Sequence, residues 1–215
     1  MFFDYWQSLQ QQCADHGAKL IAVSKYTDTA SIEQVASFGQ RDFAESRPQQ
    51  LRDRALAYPN LRWHMIGHLQ KNKAKYIGQY AAMWHSLVDL ETAIAVNKSV
   101  PLGQILPVLI QVDISGEAQK QGVDGSDVAA LYAALQRECP ALIVVGLMGM
   151  AADADVESVR ASFRTLRQLR NHWIDQGLFQ PVCHELSMGM SGDYQIAMEE
   201  GATMVRIGSI LFRDA

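Results

Sequence analysis

The chain has 215 residues, enough for one large domain or two small ones with a sizeable buried core. Hydrophobic residues make up 48% and charged residues 20%, an ordinary globular balance, and the net charge of −4 leaves no global basic field for nucleic acid. Three widely spaced cysteines argue against a disulfide framework, no His/Cys cluster has metal-ligand spacing, and no apolar run approaches the about 18 residues of a membrane span.

The first stretch, "MFFDYWQSLQQQ", carries no basic leader and is interrupted by Asp4, so it is predicted to be an extra N-terminal helix rather than a signal peptide, and the expected compartment is the reducing cytoplasm. The first strand is predicted over 20–25, an apolar, β-favouring run that stops at Ser24 and Lys25. A helix follows with Thr27 or Thr29 as N-cap, Ile32, Val35 and Ala36 on one face, and Gly39 as its stop. Strands are then expected over 41–46, 61–67, 82–89, 105–115, 141–150, 184–190 and 203–212. Between them lie helical patterns over 47–57, 68–80, 90–100, 126–139, 155–176 and 192–202, with a glycine-bearing loop from Gly116 to Gly122. The basic knot "KNKAKY" at 71–76 reads as a solvated helix face.

Strands separated by helices imply parallel crossovers, and near-continuous apolar strands fit a sheet covered on both sides. Eight such units with no linker between them predict an α/β fold, a single (β/α)8 barrel domain over 1–215. A doubly wound open sheet is the alternative, weakened because no glycine-rich phosphate fingerprint follows the first strand. In a barrel, functional groups gather at the C-terminal ends of the strands. That places Lys25, Ser46, Gly67, Met150, Ser187 and 206–209 on one rim.

The last two units carry the chemistry. "SMGMSGD" packs glycines and serines between a strand and a short helix, which exposes backbone N–H groups as an anion site. "RIGS" adds Gly208 and Ser209 after the eighth strand, where barrels commonly cradle phosphate. A lysine across the mouth, in a partly dry pocket, has a lowered pKa and a free amine that forms a Schiff base with an aldehyde. Aldehyde, phosphate and lysine together suggest pyridoxal phosphate.

The segments "AVSK", "WHMIGHLQKNK", "GLMGM", "ELSMGMSGD" and "MVRIGSILF" resemble the pyridoxal phosphate homeostasis protein family, in register over about 20–212. The resemblance implies the fold of the N-terminal barrel of alanine racemase, with Lys25 carrying pyridoxal 5'-phosphate as a Schiff base. It implies a phosphate held by Ser187, the loop Gly189, Met190 and Ser191, and Gly208 with Ser209, and it places Arg206 beside the pyridine nitrogen. Arginine can only donate, so that nitrogen stays unprotonated and the ring is a poor electron sink. Ser46, His64 and Met148 complete the implied cofactor-binding set. Read from the sequence alone, His64 is a packed core histidine, Met148 pocket wall or barrel filling, and Arg206 in its bland reading a salt bridge at the barrel end. The chain departs from the family at "FAES", where the usual "FGEN" asparagine is Ser46.

The implied function is a carrier that takes part in intracellular vitamin B6 homeostasis and passes the cofactor to apo-enzymes, without strong catalysis of its own. A two-base racemase needs a second acid/base group, which alanine racemases draw from a separate C-terminal domain that this chain is too short to contain. A racemase working through an unidentified group is the alternative, and a sugar- or nucleotide-phosphate barrel enzyme is a third reading. No exposed apolar stripe is evident, which predicts a monomer.

Overall fold

The computed structural model describes residues 2–116 and 122–212, so residues 117–121 of the Gly116–Gly122 loop lie outside the described residues. Eight parallel strands follow one another around a closed barrel. They are β1 (Lys19–Val23), β2 (Asp42–Glu45), β3 (Arg62–Met65), β4 (Met83–Leu87), β5 (Leu106–Gln111), β6 (Leu142–Met148), β7 (Glu185–Ser187) and β8 (Met204–Ile207). The expected (β/α)8 barrel is therefore what the chain forms. It closes where β1 pairs with β8, Lys19 opposite Met204 and Ala22 opposite Ile207.

Helix α1 (Phe2–Asp15) precedes β1, as expected of the extra N-terminal element. The others are α2 (Thr29–Ser37), α3 (Pro48–Ala57), α4 (Ala74–Tyr80), α5 (Leu90–Asn97), α6 (Val128–Glu138), α7 (Val156–Asp175) and α8 (Tyr194–Glu199). Gln40 ties α1 to the barrel. Its side-chain oxygen accepts from Trp6 and Gln10, and its amide donates to the Leu20 and Asp42 carbonyls at 2.8 and 2.7 Å.

Because side chains alternate along a strand, each strand feeds two separate packing regions. Phe43, Trp63, Met65, Trp84 and Leu87 face outward into the main core beneath the helices. Ile21, Val23, Ala44 and Met204 fill the interior, and Leu109, Val145 and Met148 form a second interior cluster. A fully buried side chain such as Phe43 contributes roughly 2–3 kcal/mol through the area it removes from water.

Local chemistry moved several boundaries. Helix α2 is capped by Asp28, not Thr27 or Thr29; its carboxylate accepts from the Ser31 N–H at 2.9 Å, a charge-assisted bond that a hydroxyl cannot match. The expected helix over 68–80 begins only at Ala74, after a 3₁₀ turn at Lys71–Lys73, which leaves His68 on the barrel rim. β8 stops at Ile207 rather than 212, because Gly208 turns the chain and its carbonyl accepts from the N–H groups of Leu211 and Phe212 at 2.9 and 3.0 Å.

Candidate functional site

β1 ends at Val23, and the chain turns sharply at the C-terminal mouth. The Thr27 N–H donates back to the Ser24 carbonyl at 3.0 Å, with Tyr26 at φ 66°. A bulky residue rarely holds that left-handed conformation, so the turn stores strain beside Lys25. Two contacts pin it. Arg47 lies over the Tyr26 ring at 5.3 Å from the centroid, and the buried Ser24 hydroxyl donates to Glu45 Oε1 at 2.7 Å. Burial pushes the Glu45 carboxyl up against the opposing effects of Ser24, Arg54 and Arg47, and its Oε2 has no hydrogen-bond partner among the described residues. The turn lifts Lys25 out of the barrel, so the lysine is exposed rather than partly dry as expected.

Lys25 lines a cavity of about 840 Å³ at the C-terminal ends of the strands. Ser46, Met148 and Met190 line it as well, as do Ser191, Arg206, Gly208 and Ser209. Eight of the eleven expected site residues thus share one wall system. The remaining walls include Ile66, Val88 and Gln111, which sequence reasoning did not select, and His68, which it noted as an anion candidate. Among the described residues lining the cavity, the charged or titratable side chains are Lys25, His68 and Arg206, and no carboxylate is present.

His64, Ser187 and Gly189 do not line the cavity, and each has an evident structural occupation. His64 Nδ1 is 2.8 Å from His85 Nε2, and its Nε2 is 3.1 Å from Asp42 Oδ1. The packed, hydrogen-bonded histidine of the bland reading describes it well. Ser187 is fully buried below the floor, its hydroxyl oxygen 2.7 Å from Arg206 Nη1 and 2.8 Å from His85 Nδ1. Gly189 is a packing glycine at φ 89°. A Cβ there would sit 2.5 Å from the Ala197 Cβ, and the Gly189 carbonyl accepts from the Arg206 N–H at 2.9 Å.

Arg206 is the buried cation of the site, 3% exposed. Burial pushes its guanidinium down to about 10, against the favourable charge of Asp193. Its hydrogen bonds go to neutral acceptors, the Ser187 hydroxyl and the Gly149 carbonyl at 3.1 Å, so it is not the salt bridge of the bland reading. The loops after β7 and β8 are joined where the Gly208 N–H donates to the Ser191 hydroxyl at 3.3 Å. Helix α8 is only six residues long, so this corner's capacity for an anion rests on serine hydroxyls and loop amides rather than on a helix terminus. A phosphate bearing an aldehyde fits this donor set: cations and hydroxyls face the space, and no carboxylate is among the described lining residues.

The chain matches the family model "Alanine racemase, N-terminal domain" over residues 4–215. It is 36% identical to a pyridoxal phosphate homeostasis protein of Aquifex aeolicus, over 96% of this chain and 93% of that one. A protein of the same name from Deinococcus radiodurans is 39% identical over 90% of this chain and 88% of its own length. Among solved structures, PipY of Synechococcus elongatus with pyridoxal phosphate bound superposes with a TM-score of 0.88 at 30% identity, covering 99% of this chain and all of that one. Alanine racemase of Corynebacterium glutamicum shares the fold, at a TM-score of 0.75 and 18% identity over 59% of its length. Matches of this identity, running nearly end to end in both partners, place the chain in the pyridoxal phosphate homeostasis protein family.

Proposed function

We propose that this chain binds pyridoxal 5'-phosphate covalently through Lys25, as a Schiff base, and serves to hold and release the cofactor rather than to turn over a substrate. The observation that carries the reading is the cavity itself, where Lys25, Arg206, Ser191 and Ser209 share one wall with no carboxylate among its described residues. A homologous barrel, PipY, has been solved with the same cofactor. When bound, pyridoxal phosphate supplies an aldehyde that amines capture reversibly with loss of one water. Lys25 supplies the amine, and its exposure favours exchange with the surroundings. Ser191 and Ser209 offer hydroxyl hydrogens to the phosphate. Arg206 can only donate, so it holds a ring nitrogen in its unprotonated form and withholds the strong electron sink that transamination and decarboxylation use. Met148 and Met190 supply polarizable wall.

Pyridoxal phosphate-dependent apo-enzymes are the proposed recipients, and the chain is proposed to act as a single barrel domain and a monomer. The net charge of −4 suits neither nucleic acid nor an anionic membrane surface as partner. No helix among the described residues is long and apolar enough to cross a membrane. The three cysteines are free and buried, which suits the reducing cytoplasm.

The deciding experiment is a near-visible absorption spectrum with and without added pyridoxal phosphate, followed by borohydride reduction and peptide mapping. The expected results are a yellow adduct fixed on Lys25, and a Lys25→Ala variant that binds more weakly but still binds. A protein that stays colourless, or a Lys25→Ala variant that keeps the band and the affinity, overturns the reading. His68 is the lining side chain that could serve a racemase as a second acid/base group. Racemisation of alanine lost in both Lys25→Ala and His68→Ala would replace the carrier by an enzyme.

A further inference from the structure

Beneath the cavity, five polar side chains from five strands form one line of hydrogen bonds through the barrel interior. Arg206 Nη1 of β8 donates to Ser187 Oγ of β7 at 2.7 Å. Ser187 Oγ lies 2.8 Å from His85 Nδ1 of β4. His85 Nε2 lies 2.8 Å from His64 Nδ1 of β3, and His64 Nε2 lies 3.1 Å from Asp42 Oδ1 of β2. The four members nearest the cavity are each 5% exposed or less. Asp42 begins β2, so the line runs from the N-terminal end of the barrel to the ligand face at the other.

The protons on this line can be placed by counting. Burial raises the Asp42 carboxyl, but hydrogen bonds from Arg62 and His64 outweigh it and hold the group well below the usual carboxylate range. Asp42 therefore accepts, and His64 Nε2 carries a hydrogen. At the other end Arg206 always donates, so the Ser187 oxygen accepts there, and among the described residues the acceptor within reach of the Ser187 hydroxyl hydrogen is His85 Nδ1. His85 then carries its hydrogen on Nε2 and donates to His64 Nδ1. Each bond has one donor and one acceptor, with both rings neutral. The reversed line needs a doubly protonated His64 and leaves the Ser187 hydroxyl hydrogen without a partner. Burial, His64 and Arg206 all disfavour a second proton on His85, with Asp42 opposing weakly. The other charges facing the line are Arg62 on Asp42 and Asp193 on Arg206.

We propose that His85 is a positioning residue: through Ser187 it fixes the guanidinium plane that Arg206 presents to the ligand, while His64 and Asp42 hold His85 in its Nε2–H tautomer. This rests on the reading that Arg206 faces bound pyridoxal phosphate. It also moves Ser187 out of the phosphate-binding set, since its hydroxyl hydrogen is committed to His85.

The first test uses the ligand-free full chain. Ring ¹⁵N shifts at neutral pH are expected to show His64 and His85 as neutral Nε2–H tautomers, with slow rotation of the Arg206 guanidinium. A doubly protonated His64 or an Nδ1–H His85 overturns the line. The second test compares Ser187→Ala, His85→Leu and His85→Asn, whose side-chain oxygen can still accept from Ser187. Ser187→Ala and His85→Leu are expected to free the guanidinium rotation, weaken pyridoxal phosphate binding about fivefold, the effect of one hydrogen bond, and move the bound band; His85→Asn is expected to restore all three. Unchanged rotation, affinity and band in Ser187→Ala overturn the proposal even if His85→Leu fails to fold. Wild-type protein that takes up no pyridoxal phosphate sinks the functional reading instead, and the tautomers and guanidinium rotation still decide whether the line exists.

Discussion

Arg206→Met tests whether the buried arginine is there for the fold or for the ligand. Methionine keeps much of the volume and removes the charge. Keeping that charge buried is costly. The fall of the guanidinium from its ordinary 12.5 to about 10 corresponds, at about 1.4 kcal/mol per pKa unit, to roughly 3 kcal/mol against the charged form. The variant recovers that cost. It loses two hydrogen bonds from a charged donor, to Ser187 and Gly149, each contributing about 1.5–3 kcal/mol. Ser187 keeps its contact with His85, so the Gly149 carbonyl is the acceptor that loses its side-chain donor outright. The balance is a net loss of about 0–3 kcal/mol in the ligand-free protein, at or below the low end of the about 3–5 kcal/mol typical of breaking a buried ion pair. Urea unfolding at constant m measures this, and titration with pyridoxal phosphate measures the other half, where affinity should fall and the band should shift. A stability loss above about 4 kcal/mol would make Arg206 a structural anchor, and wild-type affinity with an unmoved band would remove it from the ligand face.

Three further substitutions probe the frame around the site. Gly67→Ala would put a Cβ 2.2 Å from the Ser46 carbonyl oxygen, forcing the cavity wall to move by about 1 Å; we expect a loss of about 1–3 kcal/mol in urea unfolding and weaker ligand binding together. Asp42→Asn tests acid stability. A carboxyl held well below its ordinary value stabilises the fold fully above that value, near 3.8, and the contribution is lost as pH falls from there towards the depressed folded value, so wild-type melting temperature should drop steeply below about pH 4 and that slope should flatten in the variant. Glu200→Gln weakens a buried carboxylate that joins Arg164 and Arg167 at 3.0 Å each and Arg160 at 3.5 Å; because these arginines are partly exposed, the expected cost is about 2 kcal/mol, and an unchanged denaturation midpoint would refute the network's importance.

The rim was legible in the sequence because strand ends are. Lys25, Ser46 and Ser209 were reachable by asking which residue follows an apolar run, Ser191 by its glycine- and serine-rich loop, and Met148 and the ligand role of Arg206 through the family resemblance; the barrel brings all of them to one cavity. What lay below the rim was harder. His85 sits inside "AMWHSLVD" and Asp42 inside "RDFAES", where each reads as an ordinary strand residue. Their common feature is parity. Asp42 and Ala44 share one strand face, as do His64 and Ile66, Met83 and His85, and Met204 and Arg206, and each pair points into the barrel. Polar residues on the inward parity of five strands were a usable signal, but only once closure was assumed, because an open sheet gives inward and outward faces the same meaning. The phosphate role of Ser187 came from the family resemblance, and its burial one layer below the rim, with hydrogen bonds to His85 and Arg206, is a packing outcome that its place at the end of an apolar run does not reveal. The setting of Lys25 was misjudged for a related reason: whether a strand-end side chain is dry depends on the following turn, and the left-handed Tyr26 has no local sequence signature.

The exposure of Lys25 bears on what kind of protein this is. An enzyme that stabilises a carbanion profits from a closed, water-free site with acid/base groups on both sides of the reacting atom. A carrier profits from the opposite arrangement. Its amine must meet the aldehyde readily and also let it go, and its anchoring groups must bind the invariant phosphate without acting on the ring. Here the amine of Lys25 stands at an open mouth, and the buried cation of the cavity wall, Arg206, is a group that can donate a hydrogen bond but cannot abstract a proton. The interior line from Asp42 to Arg206 tightens that distinction, because it uses both buried histidines to fix an arginine and leaves neither facing the cavity as a base.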